Sequence, residues 1–292
     1  MIAAGIEIGT NKIEGLIFDR NWKVSARKRL ATPTGYKNLI KTTVQVIRSC
    51  GDLPIGIAGS GLINPANGKA ITSNVGAEGQ TFPRDVITAA RRSITWVNDS
   101  RAIILSEASF GMAEGHNRIA ALRIGSSVSC AYLVGGRLVN GPSGACGEIG
   151  HMALPAPLVA KWRLPLIDCS CGRAGCFETL LSGPGMVRLA QSFGENPPSA
   201  KEIADERGRI WGIWTEIAAE AVANLIFSFD PDVIVLGGGV SQAPNATEDI
   251  NAALKKTMIK GFPLPEIVTA SAGQASGPLG AAYAAWSNTL HD

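Results

Sequence analysis

At 292 residues the chain exceeds one small domain and suits two lobes of about 110 to 180 residues each. Apolar residues make up 46% of it and charged residues only 17%, with 34 glycines, which describes a soluble globular protein built by close packing and excludes a disordered or fibrous one. The formal charge of +3 is scattered apart from the short runs Arg27-Lys28-Arg29 and Arg91-Arg92, which read as solvated faces, so no nucleic-acid partner is expected.

The opening MIAAGIEIGT enters a strand pattern at once, without a basic stretch, apolar core and cleavage site, so no signal peptide is expected and a cytoplasmic location follows. Ala3 to Ile8 and Ile13 to Phe18 alternate as two strands joined at Gly9-Thr10-Asn11, a β-hairpin. The pattern returns at a constant offset of 116 residues, with Ile8-Gly9-Thr10-Asn11 on Ile124-Gly125-Ser126-Ser127 and Leu16-Ile17-Phe18 on Tyr132-Leu133-Val134. Such an echo predicts two lobes that each begin with a hairpin.

Between the hairpins the spacing predicts a helix near Asn38 to Arg48, a strand at Pro54 to Ala58, a helix near Pro83 to Arg92 and a strand at Ile94 to Val97. A further helix runs from Arg101 to Phe110, capped by Asp99 or Ser100. Farther on, Trp214, Ile217, Ala218, Ala221, Val222, Leu225 and Phe229 share one helical face. This longest apolar segment, Ile210 to Phe229, is broken by Glu216, Glu220 and Asn224, which argues against a membrane span. A very apolar strand, Val233 to Leu236, then breaks at Gly237-Gly238-Gly239, and an Ala-rich helix runs from Gly280 to about Asn288. Strands alternating with helices place the chain in the α/β class.

Cys169-Ser-Cys171-Gly-Arg-Ala-Gly-Cys176-Phe-Glu178 brings three thiols together on a short glycine-bearing loop, while Cys50, Cys130 and Cys146 are isolated and read as buried thiols. In a cytosolic chain this distribution favours one metal cluster over a disulfide framework. Zinc asks for about four N or S ligands in a tetrahedron. His151 is the candidate for the fourth, since His116 lies in a loop and His291 at the terminus. Three incidental thiols are the plainer alternative. A nucleic-acid-binding zinc ribbon would want two cysteine pairs and a basic surface, whereas this cluster ends in Phe177-Glu178-Thr179.

These residues, with Val97-Asn98-Asp99, Gly147-Glu148-Ile149-Gly150-His151, Val235-Leu236-Gly237-Gly238-Gly239-Val240-Ser241 and Gly277-Pro278-Leu279-Gly280-Ala281-Ala282, resemble the ROK family, named for repressor, open reading frame and kinase. The resemblance implies an actin-like ATPase (ribonuclease H-like) fold with two lobes around a central cleft: a small lobe at 1–113 and a large lobe at 114–292 carrying the zinc loop, with the final helix at about 280–288 able to pack back on the small lobe. It implies ATP-dependent phosphorylation of a hexose or N-acetylhexosamine (N-acetylglucosamine, N-acetylmannosamine or glucose) at the 6-hydroxyl, with Mg2+, a structural Zn2+ and a homodimer or larger homo-oligomer. A similar Asn-Pro turn in acylmannosamine kinases makes Gly61-Leu62-Ile63-Asn64-Pro65 a lean toward an N-acetylated sugar.

Carried across residue by residue, Asp99 is the catalytic base. Asn98, Asp99, Glu148, His151 and Glu178 hold sugar hydroxyls, with Gly61 and Asn74 at the rim. His151 serves twice, one ring nitrogen on zinc beside Cys169, Cys171 and Cys176 and the other on the sugar. The nucleotide falls to Glu7, Gly9, Thr10, Asn11 and Lys12 of the first hairpin, to Gly125, Ser126 and Ser127 of the second, and to Gly237, Gly238 and Gly239.

The chain departs from the family pattern in three places. Asp-x-Gly-Gly-Thr-Lys is here Glu7-Ile8-Gly9-Thr10-Asn11-Lys12, and Gly-Thr-Gly-Val-Gly-Gly is Gly125-Ser126-Ser127-Val128-Ser129-Cys130. Residues 152–168 also form a longer link to the cysteine loop than expected: a lid, an interface element, or a loop packed on its own domain. The altered turns motivate a second reading, a non-catalytic sugar sensor with a decayed ATP site. The family's sugar-responsive repressors are disfavoured, because they place a helix-turn-helix domain ahead of a hairpin that here starts at residue 3.

Overall fold

A computed structural model describes residues 1–59, 61, 63–71, 75–197 and 199–290. The chain divides into two compact units, one formed by residues 1–111, 140–146 and 274–292 and the other by 112–139 and 147–273.

The first unit holds β1 (Ala3–Ile8), β2 (Lys12–Phe18), β3 (Val24–Ala31), α1 (Tyr36–Ser49), β4 (Ile55–Gly59), α2 (Phe82–Ala90), β5 (Thr95–Asn98), α3 (Asp99–Phe110) and, from the far end of the chain, α10 (Ser276–Asn288). Its sheet runs β3-β2-β1-β4-β5, with the β1–β2–β3 meander antiparallel and β4 and β5 parallel to β1. Every residue of β4 is buried, as the apolar run Ile55-Gly-Ile-Ala-Gly requires of a strand covered on both faces. At the edge, β3 carries Arg27, Lys28 and Arg29 into solvent, a charged edge that resists pairing with another chain.

The second unit repeats the plan with β6 (Arg118–Ile124), β7 (Val128–Val134), β8 (Arg137–Leu138), α4 (Ala156–Trp162), α5 (Glu178–Leu181), α6 (Gly183–Ser192), α7 (Ala200–Glu206), α8 (Arg209–Phe229), β9 (Val233–Gly237), α9 (Ala246–Thr257) and β10 (Glu266–Thr269). Its order, β10-β9-β6-β7-β8, is that of the first sheet with strands of corresponding direction. The offset of 116 thus carries one hairpin onto the other. The turns still differ: Ile8 pairs with Ile13 around residues 9–12, and Ile124 with Val128 around residues 125–127.

Several details correct the sequence reading. The cap of α3 is Asn98, whose Oδ1 accepts from the Ser100 amide at 3.0 Å, so that Asp99 is already the first helical residue. Helix α10 begins at Ser276 rather than Gly280, and Cys146 is half-exposed while Cys50 and Cys130 are buried. Helix α8 is buried nearly all round: by length and composition it could cross a bilayer, but 72% of its apolar window is inside the unit, as for a core helix. Residues 152–168 pack on their own unit. Leu158 and Leu164 join its core, Lys161 Nζ pairs with Glu216 at 2.8 Å, and Trp162 Nε1 donates to the same carboxylate.

Helix α10 lies against β1, β4 and α3 at a distance only glycine permits. A β-carbon on Gly5 would stand 1.7 Å from the Pro278 carbonyl oxygen, and one on Gly280 1.7 Å from that of Ala102. Protein interiors pack at crystal-like density, so neither backbone has room to retreat.

Candidate active site and metal centre

In the first unit, β5 delivers Asn98 and Asp99 to the start of α3. Asn98 is fixed at both ends of its amide: Oδ1 accepts from the amide and hydroxyl of Ser100, and Nδ2 donates to the Gly61 carbonyl at 3.3 Å. Gly61, with φ of +96°, is thereby brought to Asn98. Asp99 is 4% exposed, and its Oδ1 accepts from the Ser100 amide at 2.8 Å. Asn74 lies outside the described residues.

The first hairpin turn is closed by the Gly9 amide donating to the Lys12 carbonyl at 2.9 Å, with the Thr32 hydroxyl on the Gly9 carbonyl. Thr10 and Asn11 are exposed at its tip. The Lys12 ammonium is engaged by Glu14 Oε2 at 2.9 Å, an interaction the sequence reading missed. The Glu7 carboxylate lies beside α10, 3.3 Å from where a Gly277 β-carbon would be. One residue earlier in the same helix, Ser276 Oγ donates at 3.2 Å to Glu107, a fully buried carboxylate two turns along α3 from Asp99.

In the second unit, the Gly125 amide donates to the Ser127 carbonyl at 3.0 Å. Gly125, Ser126 and Gly239 line one cavity of about 670 Å³. Gly238, at φ +89°, lets the chain pass β6, since a β-carbon there would meet the Ile124 carbonyl oxygen at 2.4 Å. The cavity's other walls escaped the sequence reading: Arg123, Gly183 and Pro184 at the start of α6, Ala200, Lys201, Ala204 and Asp205 of α7, and Gln242 among the residues after Gly239. The small apolar residues among them carry no chemical signature, and Arg123, a cation in the apolar run Ile119 to Ile124, is a visible signal.

The four predicted metal ligands converge, with one donor atom from each of His151, Cys169, Cys171 and Cys176 all within 4.8 Å of one another. Zn–S bonds of about 2.3 Å and Zn–N bonds of about 2.0 to 2.1 Å imply tetrahedral edges of about 3.8 Å between sulfurs and about 3.5 Å between sulfur and nitrogen. Cys171 and Cys176 are 3.7 Å apart, and Cys169 Sγ stands 3.5 Å from His151 Nδ1, so the donors fit such an ion. The loop is preformed by backbone bonds, Cys169 N to Arg173 O at 2.7 Å and Gly172 N to Cys169 O at 2.9 Å, and Arg173 Nη1 ties it to the His151 carbonyl at 2.9 Å. Burial and then the neighbouring thiols push Cys176 up to about 12. Burial also opposes ionisation of Cys171, but bonds from the Arg173 amide and the other two thiols outweigh it and hold that thiol below its ordinary value. A cation bound among these thiols would favour their ionised form against the burial that opposes it.

The other ring nitrogen of His151, Nε2, is 3.8 Å from Glu148 Oε2, both on the short turn Glu148 to His151. Directly after the cysteine loop, Glu178 Oε2 accepts from the Val128 amide at 3.0 Å, which ties the loop to the second hairpin. Gly147 sets this turn against β7, where a β-carbon would meet the Cys130 carbonyl oxygen at 2.0 Å.

A ROK hexokinase from Thermus thermophilus superposes on the chain with a TM-score of 0.83 at 26% identity, covering all of both chains. An N-acetylgalactosamine kinase AgaK from Shewanella is 32% identical, spanning 95% of this chain and 94% of its own, and an N-acetyl-D-glucosamine kinase from Escherichia coli is 30% identical over 96% and 97%. Fold and relatives together define an actin-like sugar kinase. The family model described as the ROK family matches residues 3–287, and the chain belongs to the ROK family.

Proposed function

We propose that this chain transfers the γ-phosphoryl group of ATP to the 6-hydroxyl of an N-acetylhexosamine, with Asp99 as the base. The observation that carries the reading is the placement of Asp99: buried, first in α3, beside an Asn98 whose amide is held at both ends. Phosphoryl transfer needs positioning and charge neutralisation more than covalent help. Asp99 accepts the proton of the attacking hydroxyl as its oxygen bonds to the γ-phosphorus and ADP leaves. Asn98, Glu148, His151 and Glu178 hold the remaining hydroxyls, each of which both donates and accepts, and Gly61 and Asn74 border them. ATP occupies the cavity at Gly125, Ser126 and Gly239, and Mg2+ is held through Glu7. The N-acetylated sugar is supported by the two relatives, whose names specify N-acetylgalactosamine and N-acetyl-D-glucosamine.

Zinc at His151, Cys169, Cys171 and Cys176 is structural in this reading: it fixes the ring whose far nitrogen meets the substrate. Six free thiols suit a reducing, cytoplasmic setting, and family resemblance supplies a homodimer or larger assembly. The sequence-based division into a small lobe at 1–113 and a large lobe at 114–292 is kept in this reading with the final helix, about 280–288, counted with the small lobe.

Coupled measurement of ADP release with N-acetylgalactosamine, N-acetylglucosamine, N-acetylmannosamine and glucose tests this. An N-acetylated sugar should support turnover, and Asp99→Asn should lower kcat about 10²- to 10⁴-fold while sugar still binds. The sensor reading, favoured by Ser127 and Ser129 in place of turn glycines, takes over if sugar binds calorimetrically yet releases no ADP from the wild type.

A further inference from the structure

The end of the first sheet that carries Asn98 also carries a small apolar recess. Ile8, Gly59 and Asn98 are register neighbours across β1, β4 and β5, so a recess wall and a residue assigned to the sugar stand in one row on one face. Trp96, two residues before Asn98 on β5, projects from that face too. The edge of its indole covers Gly59, with Cζ2 2.9 Å from where a β-carbon there would be, and the ring meets Phe82 of α2 in a T-shaped contact with centroids 5.4 Å apart. Ile63, Ala70 and Val75, from the segment that follows Gly61, complete a recess of about 10 Å³, room for about one methyl group. The wall side chains are hydrocarbon but for the Trp96 Nε1–H, so they suit an apolar group better than a water, which wants two to four polar partners.

We infer that this recess is the subsite for the methyl of the substrate's acetamido group, and that it sets a preference for an N-acetylhexosamine over the parent hexose. This deepens the function proposed above and rests on it. A sugar held by its hydroxyls at Asn98 and Asp99 has the recess beside it, because Asn98 shares a sheet row with Ile8 and Gly59. A methyl entering the recess leaves water for hydrocarbon contact, whereas a hydroxyl there would give up water without an equal partner. Size sharpens the choice: one methyl fits, a hydrogen leaves the walls uncontacted, and a longer acyl chain meets Ala70 and Phe82. Ile63 gives a physical basis to the lean toward an N-acetylated sugar that the stretch Gly61 to Pro65 carries in the sequence.

The N-formyl, N-acetyl and N-propionyl derivatives of one hexosamine differ only in the group the recess receives, so steady-state ADP release with the three reads it directly. The hexosamine is whichever of glucosamine and galactosamine gives the better N-acetyl substrate. Wild type should show its highest kcat/KM with the N-acetyl sugar and a value about tenfold or more lower with the N-formyl one. Ala70→Val, which fills the recess, should bring the N-acetyl sugar down to the N-formyl level and leave the N-formyl value unchanged. Ile63→Ala, which widens it, should move the preference toward N-propionyl, a gain that general damage to the fold does not produce. Equal wild-type values for N-formyl and N-acetyl overturn the assignment, as does an Ala70→Val protein of normal melting temperature that loses both alike. If the valine variant melts early, Ile63→Ala decides, and an unchanged acyl preference in it overturns the subsite. A wild type that uses the parent hexose better than any N-acyl sugar removes the N-acetylhexosamine reading and the subsite together, an outcome distinct from an N-acyl preference that neither variant moves. Should the wild type bind sugar without releasing ADP, calorimetric affinities for the three derivatives are judged by the same criteria.

Discussion

Glu148 Oε2 stands 3.8 Å from His151 Nε2, while the ring's other nitrogen faces the Cys169 sulfur at 3.5 Å. One imidazole thus joins a thiol cluster to a carboxylate, and whatever fixes the cluster also aims the acid.

Loss of the metal should therefore be felt twice. Purified protein should carry about one zinc per chain by mass spectrometry, since four donors define one tetrahedral site. Cys176→Ser should lower that content, lower the melting temperature and raise KM for sugar, because a structural ion contributes to folding as well as to ligand orientation. Metal-free protein with unaltered melting and KM would refute the zinc assignment.

Close approach by α10 gives a contrast in sign between two glycine-to-alanine changes. A β-carbon on Gly56 would stand 1.8 Å from the Ala281 carbonyl oxygen, so Gly56→Ala should destabilise by about 1 to 3 kcal/mol or more. Gly212, inside α8, has nothing within 4 Å of its would-be β-carbon, and Gly212→Ala should stabilise by about 0.5 to 1 kcal/mol. Urea unfolding of both variants checks this; equal shifts of one sign would contradict the packing.

Glu14, which engages the Lys12 ammonium, offers a pH test. Its side chain is 3% exposed and meets Lys12 at 2.9 Å and Arg29 at 2.6 Å. Burial alone would raise its pKa, but hydrogen bonds and charge from Lys12 and Arg29 bring it below the ordinary 4.5. A carboxylate more acidic in the folded state favours folding above 4.5 and loses that contribution as pH falls through the folded value. Glu14→Gln should accordingly be less stable than wild type at pH 7, with the gap closing in acid. A gap that stays constant from pH 7 to pH 3 in thermal melts would rule this out.

Much of this was legible in the residues where chemistry imposes local spacing. Cys169, Cys171 and Cys176 must lie close in sequence to share an ion, and the repeated hairpin shows because both turns need small residues. Asp99 was visible, but its geometry was misread by one position: Asn98 and Ser100 are each able to cap, and only the hydrogen bond chooses. Contacts between distant segments left fainter marks. Gly5 and Pro278 meet across 273 positions of chain, and nothing distinguishes Gly5 from other glycines until the helix is placed on it. Gly183, Pro184, Ala200 and Ala204 in the cavity wall were silent because alanine, glycine and proline serve any close-packed surface. Strands β3 and β10, an exposed basic edge and a four-residue segment, lack the apolar alternation that marks a buried strand.

The first unit takes its last helix from residues beyond the whole of the second. During synthesis, the second unit leaves the ribosome complete and able to fold while β1 and β4 still wait for their cover, and the glycines that admit α10 keep that surface bare in the meantime. The nascent chain therefore finishes from the middle outward, and the half bearing Asp99 is the last to acquire its shape.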